Sequence, residues 1–268
     1  MEINETVVSE AIIRTYEERL LAALQSTVAV VGGGPAGLMA ALRLAAKGIK
    51  TTLFERRLSL GGGMWGGGIG RNVIVVQEAA QRILAEIGIK YRAYAPGYYV
   101  ADSIESVCKL GAAAKDAGAE ILNLFSVEDV LCVENEVRGL VITRTPIEQA
   151  GLHVDPIAVS SQFIVDATGH AAEVARIIER KVGPLRTASG SALGEKAMAA
   201  EAGEQFVVEK TGEVYPHVYV AGMAVGAVLG GPRMGPIFGG MLLSGERVAE
   251  LIAARLACSA SSKPAGTA

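Results

Sequence analysis

The chain has 268 residues, half of them hydrophobic and a fifth of them charged, with a formal net charge of −3. This composition excludes a mainly disordered protein, because a chain of this size and hydrophobicity buries a large core. The slight negative charge, without a basic run, also argues against nucleic acid and anionic membranes as main partners. We further expect neither a secretion signal nor a membrane span, and hence a cytoplasmic protein.

The N-terminal segment has an apolar residue at every fourth position, which predicts an amphipathic helix ahead of the first strand. The apolar positions are Val8, Ile12, Tyr16, Leu20 and Leu24. Such a helix can pack on its own domain or on a neighbouring subunit, and the spacing does not decide between the two.

A glycine motif follows the first predicted strand. The apolar strand 28–31 runs into Gly32-Gly33-Gly34-Pro35-Ala36-Gly37, and after a short helix a second strand, 51–54, ends on Glu55. This is G-x-G-x-x-G in the strand–helix–strand context of a dinucleotide site. An ordinary glycine-rich turn is the less favoured interpretation.

Each glycine of the motif has a separate physical role in this interpretation. Gly32 makes the tight turn, Gly34 lets the backbone approach a pyrophosphate, and Gly37 lets helix and strand pack closely. The N–H groups at the start of the helix face the phosphates. Glu55 then accepts hydrogen bonds from the adenosine ribose.

A second glycine cluster, residues 60–68, surrounds Trp65, the only tryptophan. So many glycines indicate a loop whose backbone comes close to another group, and the nucleotide is the nearest candidate. A flexible surface loop is the alternative.

The rest of the chain alternates strands with helices, interrupted by a hairpin, which predicts a parallel sheet with an inserted β-meander. We expect one dinucleotide-binding-type domain over residues 1–257 and a flexible tail over 258–268. The predicted elements are helices at 77–87, 103–117 and 241–256, strands at 119–124, 163–167 and 218–221, and a hairpin of 127–133 with 137–143.

Three cysteines, Cys108, Cys132 and Cys258, are widely spaced and form no C-x-x-C pair. This spacing fits a reducing compartment and argues against a thiolate zinc site. We expect all three to be small buried apolar residues.

The motifs resemble those of flavoproteins with two dinucleotide-binding domains, which implies a Rossmann-type α/β fold. The shared features are the glycine motif, the acid, Ala167-Thr168-Gly169 and a late strand ending in Ala221-Gly222. In that superfamily an aspartate follows the last glycine and holds the ribityl hydroxyls of the flavin. Met223 stands there in this chain, and a thioether is a poor substitute for a charged acceptor.

A narrower resemblance covers residues 10–256. The segments GGGPAGL, FER, GGGMWGGG, LHVDP, DATGH and GGPRMGPIFGGM together are similar to the thiazole synthases of thiamine biosynthesis, which convert NAD and glycine into an ADP-linked thiazole. The last three segments are the specific ones. The resemblance implies an enzyme of the pentosyl-transferase class that consumes NAD as a substrate.

The resemblance assigns a metal site to Asp155 and His170, which match the iron(II) ligands of the family. In its assemblies, the two ligands come from different subunits. An imidazole nitrogen and a carboxylate oxygen leave coordination positions open for substrate and sulfide. His153-Val154-Asp155 in an extended conformation places His153 and Asp155 on one face. From spacing alone, a structural His–Asp hydrogen bond is the simpler interpretation.

His153 occupies the position of a cysteine that surrenders its own sulfur in eukaryotic members of the family. An imidazole has no sulfur to give. The resemblance therefore implies a catalytic enzyme that takes free sulfide, as the archaeal and bacterial type does. His153 is also the first candidate for acid–base work, because the unperturbed pKa of histidine, about 6.5, lies near working pH.

The remaining site residues also follow from the resemblance. Arg233 is expected to hold the glycine carboxylate through its forked guanidinium, the alternative being a solvated side chain. A homo-octamer is implied. The expected nucleotide-binding residues are Gly32, Gly34, Ala36, Gly37, Glu55, Arg56, Gly63, Val127, His153, Val154, Asp155 and Met223.

Three other functions remain open at this point. A FAD-dependent oxidoreductase explains the N-terminal half equally well, and a yellow protein would support it. A ribose-1,5-bisphosphate isomerase would turn over a sugar phosphate without sulfide. A non-catalytic NAD-binding module would retain NAD without releasing nicotinamide.

Overall fold

The computed structural model describes residues 2–134 and 136–261, with the side chains of 260 and 261 excepted. Its helices are α1 Glu5–Ala23, α2 Pro35–Ala45, α3 Glu78–Ile87, α4 Ser103–Asp116, α5 Thr145–Gln149, α6 Glu173–Lys181, α7 Ala200–Lys210, α8 Met223–Leu229 and α9 Gly239–Ser261. Its strands are β1 Gln25–Val31, β2 Thr51–Glu55, β3 Val73–Gln77, β4 Tyr91–Ala95, β5 Tyr98–Asp102, β6 Glu120–Asn123, β7 Phe125–Val133, β8 Glu136–Arg144, β9 Ile157–Asp166, β10 Gly212–Tyr215 and β11 Val218–Val220.

The main sheet has the strand order β10-β11-β9-β1-β2-β6. Strand β1 lies between β2 and β9 and pairs in parallel with both, so that Val31 is opposite Phe54 on one side and Asp166 on the other. The carboxyl ends of these strands therefore meet at one edge, where ligands bind in open α/β sheets. The predicted α/β fold with a parallel central sheet is confirmed.

Strand β9 belongs to two parts of the sheet. Its first residues, Ile157 to Ser160, pair antiparallel with β8, and its later residues pair in parallel with β1 and β11. Because β8 in turn pairs antiparallel with β7, the three strands form the predicted meander. Asn135, in the predicted turn of the hairpin, lies outside the described residues.

A second, three-stranded sheet in the order β3-β5-β4 was not predicted. It includes the tyrosine-rich segment, and its rings pack on one another: Tyr91 and Tyr99 meet edge to face, 5.9 Å apart. Strand β3 ends at Gln77, next to the start of α9, which brings this small sheet to the side of the functional site.

Two hydrophobic clusters cover the two faces of the main sheet. Helices α2, α4 and α9 contribute to one cluster, and α6, α8 and the meander contribute to the other. Helix α9 packs very closely on α2, since a Cβ added to Gly245 would lie 2.3 Å from the carbonyl oxygen of Ala36. Close packing of this kind requires glycine.

The N-terminal helix is only half covered. Tyr16 and Leu20 pack against the core, whereas Val8 and Ile12 are exposed, Ile12 to 65%. The part of the chain described by the structure therefore covers the C-terminal half of the predicted apolar face and leaves the N-terminal half uncovered.

Three details differ from the sequence-based expectations or lie beyond them. Cys108, Cys132 and Cys258 are exposed, so the prediction that they are buried was wrong. They lie on α4, β7 and α9, at positions that face solvent. Helix α9 continues to Ser261, within the predicted tail, whose remaining residues 262–268 lie outside the described part.

Among the described residues, no helix is long and apolar enough to cross a membrane.

Candidate functional site

A cavity of about 780 Å³ opens at the carboxyl edge of the main sheet. A volume of this size suits a nucleotide-sized ligand. Its wall contains most of the predicted site residues, including the metal-ligand candidate His170. These residues are Gly32, Gly34, Ala36, Glu55, Arg56, Gly63, Val127, His170, Met223 and Arg233. Residues far apart in sequence thus converge on one site.

The glycine motif forms the inner end of the cavity. Gly32 has a φ of +99°, and a Cβ on Gly37 would lie 1.9 Å from the carbonyl oxygen of Gly32. A Cβ on Gly34 would meet no atom within 4 Å. The turn therefore needs glycine at the first and last positions for internal packing, while Gly34 faces free space into which a ligand can approach.

The Glu55 carboxylate holds this turn in place. It is buried, and its Oε2 accepts a hydrogen bond of 2.6 Å from the backbone N–H of Gly33. Its Oε1 accepts one of 2.7 Å from the N–H of Arg57. Each oxygen retains a further lone pair, so the carboxylate can also accept from a ribose hydroxyl.

The second glycine cluster closes over the motif. Gly61 donates its N–H to the carbonyl oxygen of Gly33 at 2.7 Å, and a Cβ on Gly62 would lie 3.2 Å from the Cα of Gly34. Gly63 lines the cavity. Gly37 does not line it but packs against the backbone of Gly32, which does. This loop lines the cavity and its backbone contacts the glycine motif; its predicted contact with a nucleotide stays a prediction.

Arg56 lies at the cavity wall and forms an ion pair with Glu173, at the start of α6. Burial raises the pKa of the Glu173 carboxyl, while the charge of Arg56 opposes that rise. The pair leaves a positive group fixed beside Glu55, on the side where the adenosine end of a dinucleotide is expected.

Asp166 ends β9 and organises the turn that follows. It is fully buried; its Oδ1 accepts from the Thr168 hydroxyl at 2.7 Å and its Oδ2 from the Ala175 N–H at 2.9 Å. Burial raises its pKa, although these hydrogen bonds oppose the rise. The side chain fixes the turn 168–171, and with it the position of His170.

The His170 ring is held by a carboxylate that the sequence did not reveal. Its Nδ1 lies 2.8 Å from both Oε1 and Oε2 of Glu195. A hydrogen on Nδ1 bonded to Glu195 leaves Nε2 with its lone pair available. The two residues are 25 positions apart, and no motif connects them.

Arg233 stands on a loop that is firmly held by backbone bonds. Its carbonyl oxygen accepts from the N–H of Ala199 at 3.1 Å, and Lys196 donates its N–H to Gly231 at 2.9 Å. The Arg233 side chain is exposed and lines the cavity, and no described residue forms an ion pair with its guanidinium. The guanidinium is therefore available to a carboxylate in the cavity.

His153, Val154 and Asp155 are not in the cavity of their own chain. They lie in an exposed loop between α5 and β9 and do not line the cavity wall. Within the described ranges, no three His, Cys, Asp or Glu residues are close enough to hold a metal ion. The structure thus brings His170 to the site and leaves the other predicted ligand at a distance from it.

Comparison with known proteins identifies the family. The Thi4 family matches residues 9–238. The chain belongs to this family. Two curated relatives named thiamine thiazole synthase, from Desulfosudis oleivorans and Methanothermobacter thermautotrophicus, are 54% and 51% identical to it. Each alignment covers 96% of this chain and 100% of the relative.

A solved structure supports the same assignment. The crystal structure of Thermovibrio ammonificans THI4 is 47% identical in sequence and superposes with a TM-score of 0.94, covering 96% of this chain and 100% of that one. The resemblance inferred from the motifs is therefore confirmed, both in sequence and in fold.

Proposed function

We propose that this Thi4-family chain is an enzyme that makes the thiazole moiety of thiamine as an ADP-linked product from NAD, glycine and free sulfide, with iron(II). Family membership supports the formation of the thiazole. The observation that carries the finer proposal is that the glycine motif, Glu55, His170 and Arg233 all line the same cavity.

The cavity suggests how NAD lies as a substrate. Its pyrophosphate would approach Gly34, where the backbone leaves free space at the start of α2. Its adenosine ribose would bond to the Glu55 carboxylate. The nicotinamide ribose would then extend toward His170 and Met223, at the carboxyl ends of β9 and β11. At that end, water would replace nicotinamide on the ribose carbon to give ADP-ribose, and the opened sugar aldehyde would condense with the amine of glycine with loss of water.

Arg233 gives the second substrate a defined position. A guanidinium binds a carboxylate through two parallel hydrogen bonds, which fixes both its place and its orientation. Because Arg233 has no ion-pair partner among the described residues, its guanidinium is free to bind the carboxylate of glycine. The glycine amine would then face the sugar.

The donor set suits iron(II). The Nε2 of His170, freed by the contact of Nδ1 with Glu195, offers an imidazole ligand, and the exposed Asp155 offers a carboxylate ligand. When bound, iron would supply Lewis acidity and a template for the sulfide nucleophile. Glu195 keeps the His170 ring oriented, and so it acts as a positioning residue.

Strand β9 supports the proposal that each metal site is shared between two chains. Asp155 lies just before β9 and His170 just after it, and the strand has ten residues, which span about 30 Å at about 3.3 Å each. One chain therefore holds its two ligands at opposite ends of a rigid element. In this proposal, an ion that binds both kinds of ligand would take them from two copies of the chain.

Exposed apolar residues at both ends are consistent with such an assembly. Leu152 and Val154 flank His153 on the exposed loop. Ile69 and Met198 are also exposed and line the cavity. Contact between the loop of one copy and the cavity rim of another would bury both sets of side chains. We propose a homo-oligomer on this basis, with the octamer of the resemblance as its expected size.

His153 would reach the shared site together with Asp155. It carries no sulfur, so the proposed enzyme uses sulfide from solution and turns over repeatedly. Its imidazole is the first candidate to transfer protons near the reacting sugar.

The test of the function is a reconstituted reaction. Anaerobic, reduced protein is incubated with NAD, glycine, sulfide and ferrous iron, and nicotinamide and the ADP-thiazole are measured by mass spectrometry. We expect several product molecules for each chain, and no thiazole when glycine or sulfide is omitted. No release of nicotinamide under these conditions, or a yellow protein that contains flavin, would refute the proposal.

The shared site has its own test, which uses two inactive variants. Asp155→Ala and His170→Ala are prepared separately, dissociated and reassembled together. If each site takes its ligands from two chains, about a quarter of the sites in a random one-to-one mixture regain both ligands and activity. If the mass shows that mixed assemblies have formed and they are as inactive as each variant alone, the two ligands of a site do not come from different chains.

A further inference from the structure

Glu204 is a buried carboxyl group outside the cavity wall. It lies in α7 and is only 6% exposed. Its Oε2 accepts a hydrogen bond of 2.6 Å from the backbone N–H of Gly240, in the first turn of α9. The side-chain amide of Gln77, the last residue of β3, lies beside the same carboxyl group and interacts with it. One side chain therefore joins three elements.

The helix that carries Glu204 rests directly on the Arg233 loop. A Cβ on Gly203 would lie 2.9 Å from both the carbonyl oxygen of Pro232 and the N–H nitrogen of Met234. At the N-terminal end of the helix, Ala199 donates its N–H to the carbonyl oxygen of Arg233. No space remains between α7 and the loop, so a shift of α7 displaces the Arg233 backbone.

The bond from Glu204 to Gly240 also fixes part of the cavity wall. Gly240 lies between Phe238 and Met241, and both of these side chains line the cavity. A Cβ on Gly240 would lie 2.9 Å from the Glu204 carboxyl, so the two elements are in direct contact. The start of α9 therefore keeps its position through this carboxyl group.

We propose that Glu204 is a positioning residue for the reaction, which holds the Arg233 loop and the start of α9 in the arrangement that binds the carboxylate substrate. This inference rests on the proposed function of Arg233. Glu204 does not touch the cavity and takes no part in the chemistry.

The state of the carboxyl group suggests a suitable conservative variant. Its Oε1 is buried and has no hydrogen-bond partner among the described residues. Burial raises the pKa of Glu204 to about 7, opposed by the Gly240 N–H and by Gln77, and no charged group contributes to this shift. A neutral amide can therefore replace the carboxyl: Glu204→Gln keeps the length and the acceptor for Gly240.

The experiment compares Glu204→Ala, Glu204→Gln and the control Glu201→Gln, which alters an exposed acid on the same helix. Hydrogen–deuterium exchange is measured for peptides that cover 231–242 and 32–45. Steady-state kinetics of thiazole formation are measured with glycine and with NAD varied in turn. Gly240→Ala, whose methyl group displaces the carboxyl, takes the place of Glu204→Ala if that protein does not fold.

For Glu204→Ala we expect faster exchange confined to 231–242 and a KM for glycine raised about tenfold, with the KM for NAD within about twofold. Glu204→Gln and Glu201→Gln should show neither the faster exchange in 231–242 nor the raised KM for glycine. Equal loss of protection in both peptides, or an unchanged KM for glycine, would overturn the inference. Either result would mean that Glu204 contributes only to the general stability of the protein. If the wild type forms no thiazole, the proposed function fails, whereas the exchange result still tests whether Glu204 holds the loop.

Discussion

The stability of the protein should depend on pH through Glu204, and Glu204→Gln should remove that dependence. In the unfolded chain, the carboxyl titrates near its usual pKa of 4.5, whereas in the folded chain its pKa is about 7. Between these values the folded state binds more protons than the unfolded state. The free energy of unfolding therefore falls as pH rises from about 4.5 to about 7, and this contribution is constant above that range.

The size of the effect follows from the two pKa values. At about 1.36 kcal/mol for each pH unit, the change from 4.5 to about 7 amounts to about 3 kcal/mol. Glutamine does not ionise, and it keeps the acceptor for the Gly240 N–H. We therefore expect Glu204→Gln to match the wild type near pH 4.5 and to exceed its stability by about 3 kcal/mol at pH 8.

The assay is chemical denaturation of both proteins at several values between pH 4.5 and 8, at one fixed protein concentration because the proposed assembly would also contribute to stability. Because both proteins contain all the other titratable groups, the contributions of those groups cancel in the difference between the two free energies of unfolding. Glu201→Gln, on the exposed side of α7, serves as the control and should show no pH-dependent difference. A constant difference between wild type and Glu204→Gln over this range would refute the reasoning, since it would mean that the buried carboxyl has an ordinary pKa.

Three further predictions concern the cavity and its proposed ligands. Asp155→Ala and His170→Ala should each abolish thiazole formation and lower the iron content measured after anaerobic loading, with the melting temperature little changed. Full iron content in both variants would mean that Asp155 and His170 are not iron ligands. Glu195→Gln should weaken Co²⁺ binding, followed by visible absorption, about 10-fold to 100-fold, because the His170 ring loses its charged partner; wild-type affinity would mean that Glu195 does not orient the ring. Arg233→Ala should raise the KM for glycine by at least about tenfold and leave that for NAD nearly unchanged, and equal effects on both would argue against its role.

The sequence predicts the first strand–helix–strand unit well, since each signal there is local. The glycine motif, the apolar strands and the terminal Glu55 lie within 30 consecutive residues, and the turn geometry depends on Gly32, Gly37 and Glu55, which all belong to that stretch. The late strand and the last helix are also predicted, because each is a continuous apolar or amphipathic segment.

Features that depend on contacts between distant segments are not predicted. The sheet of β3, β4 and β5 has short strands without clear alternation, so that their pairing is visible only in the fold. The contact of His170 with Glu195 joins two turns, and that of Glu204 with Gly240 joins two helices, without a shared motif. The exposure of Cys108 likewise depends on which side of α4 faces the core, and a single small residue does not indicate this.

The close packing of α9 on α2 has a consequence for the synthesis of the chain. Gly245 lies against the carbonyl oxygen of Ala36, at the start of the helix that follows the glycine turn, and Met241 completes the cavity wall. The ribosome makes Ala36 about 200 residues before Gly245, and N-terminal parts generally fold first during translation. A nascent chain thus has the turn long before it has the wall, and the cavity is complete only after α9 has been made.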